Sequence, residues 1–465
     1  MSADTNWILL SDLVHKTMKA LEKKNIKDAE AFFTETQTSE VRISNSEIQT
    51  QNKADDSGVG FRVVVAGNKV GFACTNKLNQ KAILEAGDKA LAIAKVSNPV
   101  PDFALPKTGK LPKVKQLFDP QVANITVEQT VDLARRTIEA AEGFDKRVIA
   151  KYGRVIFESA RRGILNTSGV DSQEEETRAV LYLGGSGKQN GEVTPSCADF
   201  AFTRIAKVEP EKIGENVARM VTEMFKPGPV ESFMGTVIFG PESVSYQLAD
   251  ALIDALKGEN VVTGRSAWTG RLGQTVASED FTVEDNAVLE GGFASRSFDD
   301  EGCVSQRTML IEKGILRSHL HHATSANALK AKNTGNASRF VGGLDMVRAI
   351  IGNGYKAKPE VYPSNLIICA GNKSKEELVS EVKKGVLVES MAGFTQAGSG
   401  LISAQLSRAF CIQNGEIQHP IRNAMVSGIA FTWLKNITGV GNDSKQFQNA
   451  VVPSVRVDDV KVIGA

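Results

Sequence analysis

The stretch ADALIDALKGENVVTGRSAWTGRLG, from Ala249 to Gly273, sets two carboxylates, Asp250 and Asp254, four residues apart. On a helix that spacing puts them one turn apart on one face. Leu248, Ala251, Leu252 and Ala255 form an apolar face, which leaves Asp250, Asp254 and Lys257 on the other. A zinc peptidase helix needs two neutral imidazoles at this separation to reach one metal, plus a carboxylate to activate the bound water. The chain has five histidines, His15, His319, His321, His322 and His419, and none lies in this helix. On spacing alone the favoured reading is a solvated face with Asp254 near Lys257.

The local text explains why a helix forms here. Gly240, Pro241 and Glu242 follow the strand-like TVIF, with proline where its missing N–H costs nothing and a carboxylate facing the positive end of the dipole. Lys257 and Gly258 are expected to supply a basic last turn and a left-handed cap.

Other residues capable of chemistry are fewer. In ILRSHLHH, His319 and His321 would share one face of a strand about 7 Å apart. Neither Cys, Asp nor Glu flanks them at ligand spacing, and only His419 remains elsewhere. Polar residues on a strand facing solvent or a cleft are therefore expected, with His322 in the same cluster. GGSGKQNG, Gly184 to Gly191, lacks the first glycine of a phosphate loop and has Gln189 where Ser or Thr would bind magnesium; it reads as a mobile loop. No GxSxG elbow occurs. The acidic FDDEG, with Asp299, Asp300 and Glu301, needs solvation, pairing or a ligand, and a solvated turn is the plain reading. TGNASRF, carrying Asn336 and Arg339, is suited to holding a backbone or a carboxylate. Five scattered cysteines without CxxC spacing are expected to be buried reduced thiols.

The elements that must position these residues are legible from periodicity. An amphipathic helix at the start has Leu10, Leu13, Val14, Thr17 and Leu21 on one face, which is not the pattern of a signal peptide. Strand-like text follows, with a hairpin at Gly67-Asn68, then a helix near Gln80 to Lys95. The proline- and lysine-rich Pro99 to Lys115 reads as a linker. Beyond it come a helix around Val127 to Glu142, further strands, and a helix near Glu211 to Phe225 that ends at KPGP. Lys313-Gly314 and Asn414-Gly415 are hairpin turns in a final β-rich region. The expected fold is α+β: domains over 1–98 and 116–226, then a large, mainly antiparallel β domain over 230–465.

At 465 residues, 42% hydrophobic and 23% charged, the chain can bury sizeable cores. Its 55 basic and 54 acidic residues give a formal charge of +1 without a long basic run, so no nucleic-acid partner is expected. No apolar run reaches the roughly 20 residues of a membrane span, and a cytoplasmic location is expected.

SAWTGRLGQTVAS, SFDDEGCVSQRTMLIEKGIL, TGNASR, AGSGLISAQLSRAFCIQNGEIQHPI and ITGVGND, in this order, resemble the C-terminal half of the TldD/PmbA family, also named for modulation of DNA gyrase. The likeness is specific over about Gly235 to Asp443. In that family two sister subunits form a zinc-dependent peptidase acting on unfolded or extended peptides. One carries HExxxH on the helix before the SAWTGRLG-like segment and a further cysteine ligand near its C-terminus. Anchored on SAWTGRLG, the motif falls on Ala249, Asp250 and Asp254, and no cysteine follows Cys411. The resemblance therefore implies a PmbA/TldE-type subunit with no catalytic residue and no metal or other cofactor of its own. Zinc would reside in an HExxxH-bearing TldD-type partner, and Asp299, Asp300, Glu301, His319, His321, Asn336 and Arg339 become candidates for peptide or partner contacts. A β-rich half with exposed edges would take an extended peptide through backbone hydrogen bonds. The alternatives are a homodimeric peptide-binding protein and a regulator that contacts gyrase.

Overall fold

The computed structural model describes residues 3–339 and 354–464; Phe340, at the end of TGNASRF, lies outside them. Helix α1 (Ala3–Glu22) is followed by strands β1 (Asp28–Ser44), β2 (Glu47–Val65) and β3 (Lys69–Thr75), and by helix α2 (Gln80–Val96). Its amide ends are satisfied by Asn79, whose side chain accepts from the Ala82 N–H. No helix or strand spans Phe103 to Val114. A helix at Val127–Phe144, opened by a capping box of Thr126 and Gln129, leads into the long strands β4 (Val148–Asn166) and β5 (Asp171–Gln189). A helix at Pro210–Glu223 completes this half.

The strands on either side of the linker form one antiparallel sheet in the order β3-β2-β1-β4-β5, with β1 paired to β2 along one side and to β4 along the other. Odd-numbered side chains such as Phe33, Phe61, Phe157 and Leu181 pack under the helices. Trp7 of α1 stacks on Phe33 with ring centroids 4.9 Å apart, and Leu10, Leu13, Val14, Thr17 and Leu21 are all buried there. Even-numbered side chains of the same strands point to the other face, against the C-terminal half. Both faces are thus covered, although one of them is rich in charge.

The three turn pairs expected from the sequence have the positive φ values of a type I′ hairpin: Gly67-Asn68 (79° and 56°), Lys313-Gly314 (46° and 73°) and Asn414-Gly415 (52° and 80°). GGSGKQNG departs from the loop expected of it. Gly184 to Gln189 belong to β5, and the turn is confined to Asn190 and Gly191. These glycines are required by packing: a Cβ on Gly185 would press on Val217, and one on Gly187 on Val221 and Phe225. The chain there is bare so that the helix Pro210–Glu223 can lie close to the strand.

In the C-terminal half, Phe233–Phe239 runs parallel to Lys384–Thr395 and antiparallel to Val455–Ile463. Val455–Ile463 pairs with Met425–Ile429, which pairs with Leu401–Gln413, which returns to Lys384–Thr395. Five strands therefore close into a ring, whereas a second sheet of this half, which includes Val283–Asn286, Arg307–Glu312 and Leu366–Ile368, is open at both ends among the described residues. The helix after Phe239 buries Leu248, Leu252 and Ala255 in the same core as Val237, Phe239, Val386, Ile402 and Val457. The N-terminal sheet has an open edge as well: β3 pairs with Val59–Val65 of β2, and the preceding part of β2 is largely exposed.

Candidate functional site

The helix of interest starts as its sequence requires, with Gly240 as cap and Pro241 first, then makes one π-helical turn, Val244–Leu248, before the α-helix Ala249–Leu256. Such wide turns often mark functional sites. Ala249 is buried, with only a methyl group to offer. Asp254 accepts from the Asn260 side chain at 2.8 Å and from the Gly398 N–H at 2.6 Å, using both oxygens. The expected pairing with Lys257 is absent among the described residues; the Lys257 ammonium lies over the Tyr362 ring, 5.4 Å from its centroid. Asp250 is exposed as a residue, yet the protein crowds its carboxyl, and this desolvation pushes its pKa up to about 6. Asp250, Asp254, Lys257, Tyr362, Gly398 and Phe431 line one cavity of about 230 Å³.

These positions do not fit a catalytic zinc site. Three protein ligands are needed, whereas Ala249 has no donor atom and Asp254 is engaged by two hydrogen bonds. Among the described residues, no group of three or more His, Cys, Asp or Glu side chains is arranged to hold a metal.

Two local expectations are corrected. Gly258 is not a left-handed cap: Lys257 is extended (φ −63°, ψ 116°) and Gly258 opens a new helical turn. It must be glycine because a Cβ would collide with the His321 ring and the Leu320 carbonyl. Glu242, placed to favour the helix dipole, is held mostly neutral instead: burial pushes its pKa up to about 8. Its nearby cations are engaged elsewhere, Lys445 by Asp199 at 2.5 Å and Arg408 by Glu223 at 2.7 Å.

FDDEG is not a solvated turn. Asp299 and Glu301 are fully buried and Asp300 nearly so, in a seam of charge between the even-numbered face of the sheet and the C-terminal half. Arg62 donates to Glu30 at 2.6 Å and to Glu301 at 2.8 Å. Arg339 also pairs with Glu30, and its N–H donates to Asp300 at 2.7 Å. Arg162 bridges Glu174 and Asp300 at 2.6 and 2.7 Å while lying 4.5 Å from the centre of the Phe298 ring. Further along, Glu176 pairs with Arg178 at 2.9 Å and Arg204 at 3.2 Å. Burial disfavours the Glu176 charge, but these arginines outweigh it and hold the pKa down at about 2. Glu158, with a single long contact to Arg178 at 3.4 Å, is pushed by burial up to about 7. Asp299 is likewise raised to about 7 by burial and by Glu301, and its oxygens accept the N–H groups of Glu301, Cys303 and Ala337.

Asn336 donates to Asp285 at 2.7 Å, so both chemistry-bearing residues of TGNASR are tied inside the chain. The structure places Asp299, Glu301, Asn336 and Arg339 in its interior, not at a surface; Asp300 and Arg339 line a cavity. His319 and His321 are buried as well, not facing solvent from a strand, with ring centroids 6.4 Å apart. Desolvation lowers the His321 pKa to about 4. His322 caps the short helix Ala323–Ala328, and His419 sits apart, against the Pro229 carbonyl. The cysteines divide: Cys197 is buried, its thiol pushed up to about 12, whereas Cys74 is exposed on β3.

Sequence reasoning passed over Glu30, Arg62, Glu158, Arg162, Glu174, Glu176, Arg178 and Arg204. A usable signal was present, since ESARR in β4 faces EEETR in β5 with Glu158 opposite Arg178 and Arg162 opposite Glu174.

The same architecture recurs in known proteins. Residues 29–94 match PmbA/TldA metallopeptidase domain 1, residues 120–225 its central domain and residues 233–464 its C-terminal domain. The chain belongs to the PmbA/TldD family. It is 27% identical over 466 residues to Metalloprotease PmbA of Escherichia coli O157:H7, covering 96% of this chain and 94% of that protein. Metalloprotease MJ0996 of Methanocaldococcus jannaschii is 26% identical over 442 residues, 92% of each. TldE from Thermococcus kodakarensis superimposes with a TM-score of 0.87 at 22% identity, covering 97% of this chain and 100% of that one. The PmbA/TldD framework thus runs from the N-terminal sheet to the closing strand, Val455–Ile463.

Proposed function

We propose that this chain is the subunit of a PmbA/TldD-type peptidase complex that binds no zinc itself, and that it completes a substrate chamber around the zinc of a TldD-type partner. The observation that carries the proposal is the helix Ala249–Leu256. It keeps a π-turn, a pocket and one available carboxylate at the place where the family resemblance puts HExxxH, but it supplies no imidazole. Asp250 is then a polar contact in the chamber wall, not a general base, because Ala249 and Asp254 beside it do not supply ligands for a metal whose water it would activate. The peptide substrate is extended and is recognised mainly through its backbone. The Glu47–Asp55 edge of β2, which lies beyond the part of β2 that pairs with β3 and is largely exposed, offers such a peptide unpaired backbone groups.

The test is zinc content and cleavage of an unfolded peptide by this chain alone, and by this chain co-expressed with an HExxxH-bearing sister. Metal and cleavage in the complex only, unchanged by Asp254→Ala, support the reading. Stoichiometric zinc and activity in the lone chain would refute it and make His319, His321 and His419 the next residues to replace. Full activity of the partner without this chain would equally remove the need for a chamber-completing subunit.

A further inference from the structure

A second cavity, of about 130 Å³, lies between the charged face of the sheet and the C-terminal half. Its lining includes Glu158, 1% exposed, and Arg296, 9% exposed. Each has an atom without a hydrogen-bond partner among the described residues: Oε2 of Glu158 and Nε of Arg296. Thr34, on the same lining, has its hydroxyl in the same condition. Other acids and bases of the seam meet closely, as at Arg62–Glu30 (2.6 Å) and Arg178–Glu176 (2.9 Å). Here an acid and a base line one cavity, and neither Oε2 of Glu158 nor Nε of Arg296 has a close partner among the described residues.

Groups buried in this condition are destabilising unless something completes them. Of the Glu158 oxygens, only Oε1 has a contact, the long one to Arg178 at 3.4 Å. Arg296 spends its two amino groups on Asp300 at 3.7 Å and the Gly335 carbonyl at 3.4 Å, both long for hydrogen bonds. Both residues are therefore weakly held and have bonding capacity to spare. An apolar cavity of about 150 Å³ takes a molecule of benzene's size, so this space has room for about six heavy atoms.

We infer that this cavity is a binding site for a small zwitterion, an α-amino acid of about alanine's size, with its ammonium on Glu158 and its carboxylate on Arg296. An acid and a base lining one cavity select a ligand carrying both charges, because either half alone leaves one buried group unmatched. The Thr34 hydroxyl supplies a further contact to the carboxylate. Since Tyr362 lines both this cavity and the Asp250 pocket, an occupant here abuts the wall of the proposed substrate chamber. The site does not depend on the peptidase reading, because binding is measured on the lone chain without zinc or peptide.

Isothermal titration calorimetry of the full chain with alanine, with propionate and with ethylamine tests it. Alanine is expected to bind one to one, and each half-ligand at least about tenfold more weakly. Glu158→Gln is expected to weaken alanine by a similar factor while leaving propionate unchanged, a separation that a merely structural role for Glu158 would not produce. Absence of alanine binding at millimolar concentration, or equal affinity for alanine and propionate in the unmodified protein, overturns the inference. The half-ligand comparison holds even where a variant folds poorly.

Discussion

Replacing Glu242 by glutamine should stabilise the protein increasingly as pH rises. The carboxyl follows Pro241, and its pKa is raised by burial from the ordinary 4.5 to about 8. Lys445 and Arg408 act to lower it, but each is bound closely to another carboxylate. Asp199 and Glu389 face it with the same charge and raise it further. A carboxyl with a raised folded pKa imposes no penalty below about pH 4.5; the penalty grows as pH climbs toward 8 and then levels off. At 1.36 kcal/mol per unit, the window from pH 5 to pH 9 corresponds to a ceiling of about 4 kcal/mol. Glu242 keeps part of its surface in solvent, so about 2 kcal/mol is the expected size. Urea denaturation of the wild type and Glu242→Gln at pH 5, 7 and 9 measures this, and taking their difference cancels every other titrating group. A stability gap that stays flat across these pH values, or one that turns against the variant at pH 9, would show that the buried charge is compensated and the reasoning mistaken.

Arg62→Ala leaves the buried carboxylates of Glu30 and Glu301 short of a partner and should cost about 3–5 kcal/mol in urea denaturation; a loss under about 1 kcal/mol would mean that the seam re-pairs. Gly71→Ala sets a Cβ on the Ala90 carbonyl oxygen and the Ala94 N–H, so α2 must move off the sheet, at about 1–3 kcal/mol; unchanged stability would mean that α2 is loosely docked. Asp254→Ala frees the Gly398 N–H, and faster hydrogen exchange at that amide is expected with a stability loss of about 1 kcal/mol; unaltered exchange would mean that the loop is fixed by other contacts.

Much of the fold is legible locally. The apolar stripe of α1, the helices at 80–96 and 127–144, and three hairpins all follow from signals within a few residues, because caps, periodicity and positive φ act over that range. The candidate site is half legible. The absence of imidazoles around Asp250 is a plain fact of the sequence, and so is the proline that opens the helix. Whether Asp254 is solvated or bonded to Gly398 depends on a residue 144 positions away in the chain.

By itself the sequence determined which side chains exist and the short-range geometry they adopt, and so which metal chemistry this helix lacks. Tertiary structure alone decided that FDDEG is an interior hub. Acidic triplets are ordinarily solvated, and only the arrival of Arg62, Arg162 and Arg339 from distant segments makes their burial tolerable. It also decided that the glycines of β5 are packing contacts and not a mobile loop, since the bulk they avoid belongs to a helix formed later in the chain. Charge and volume at these positions are matched across the fold, and no local pattern records a match whose two halves lie far apart.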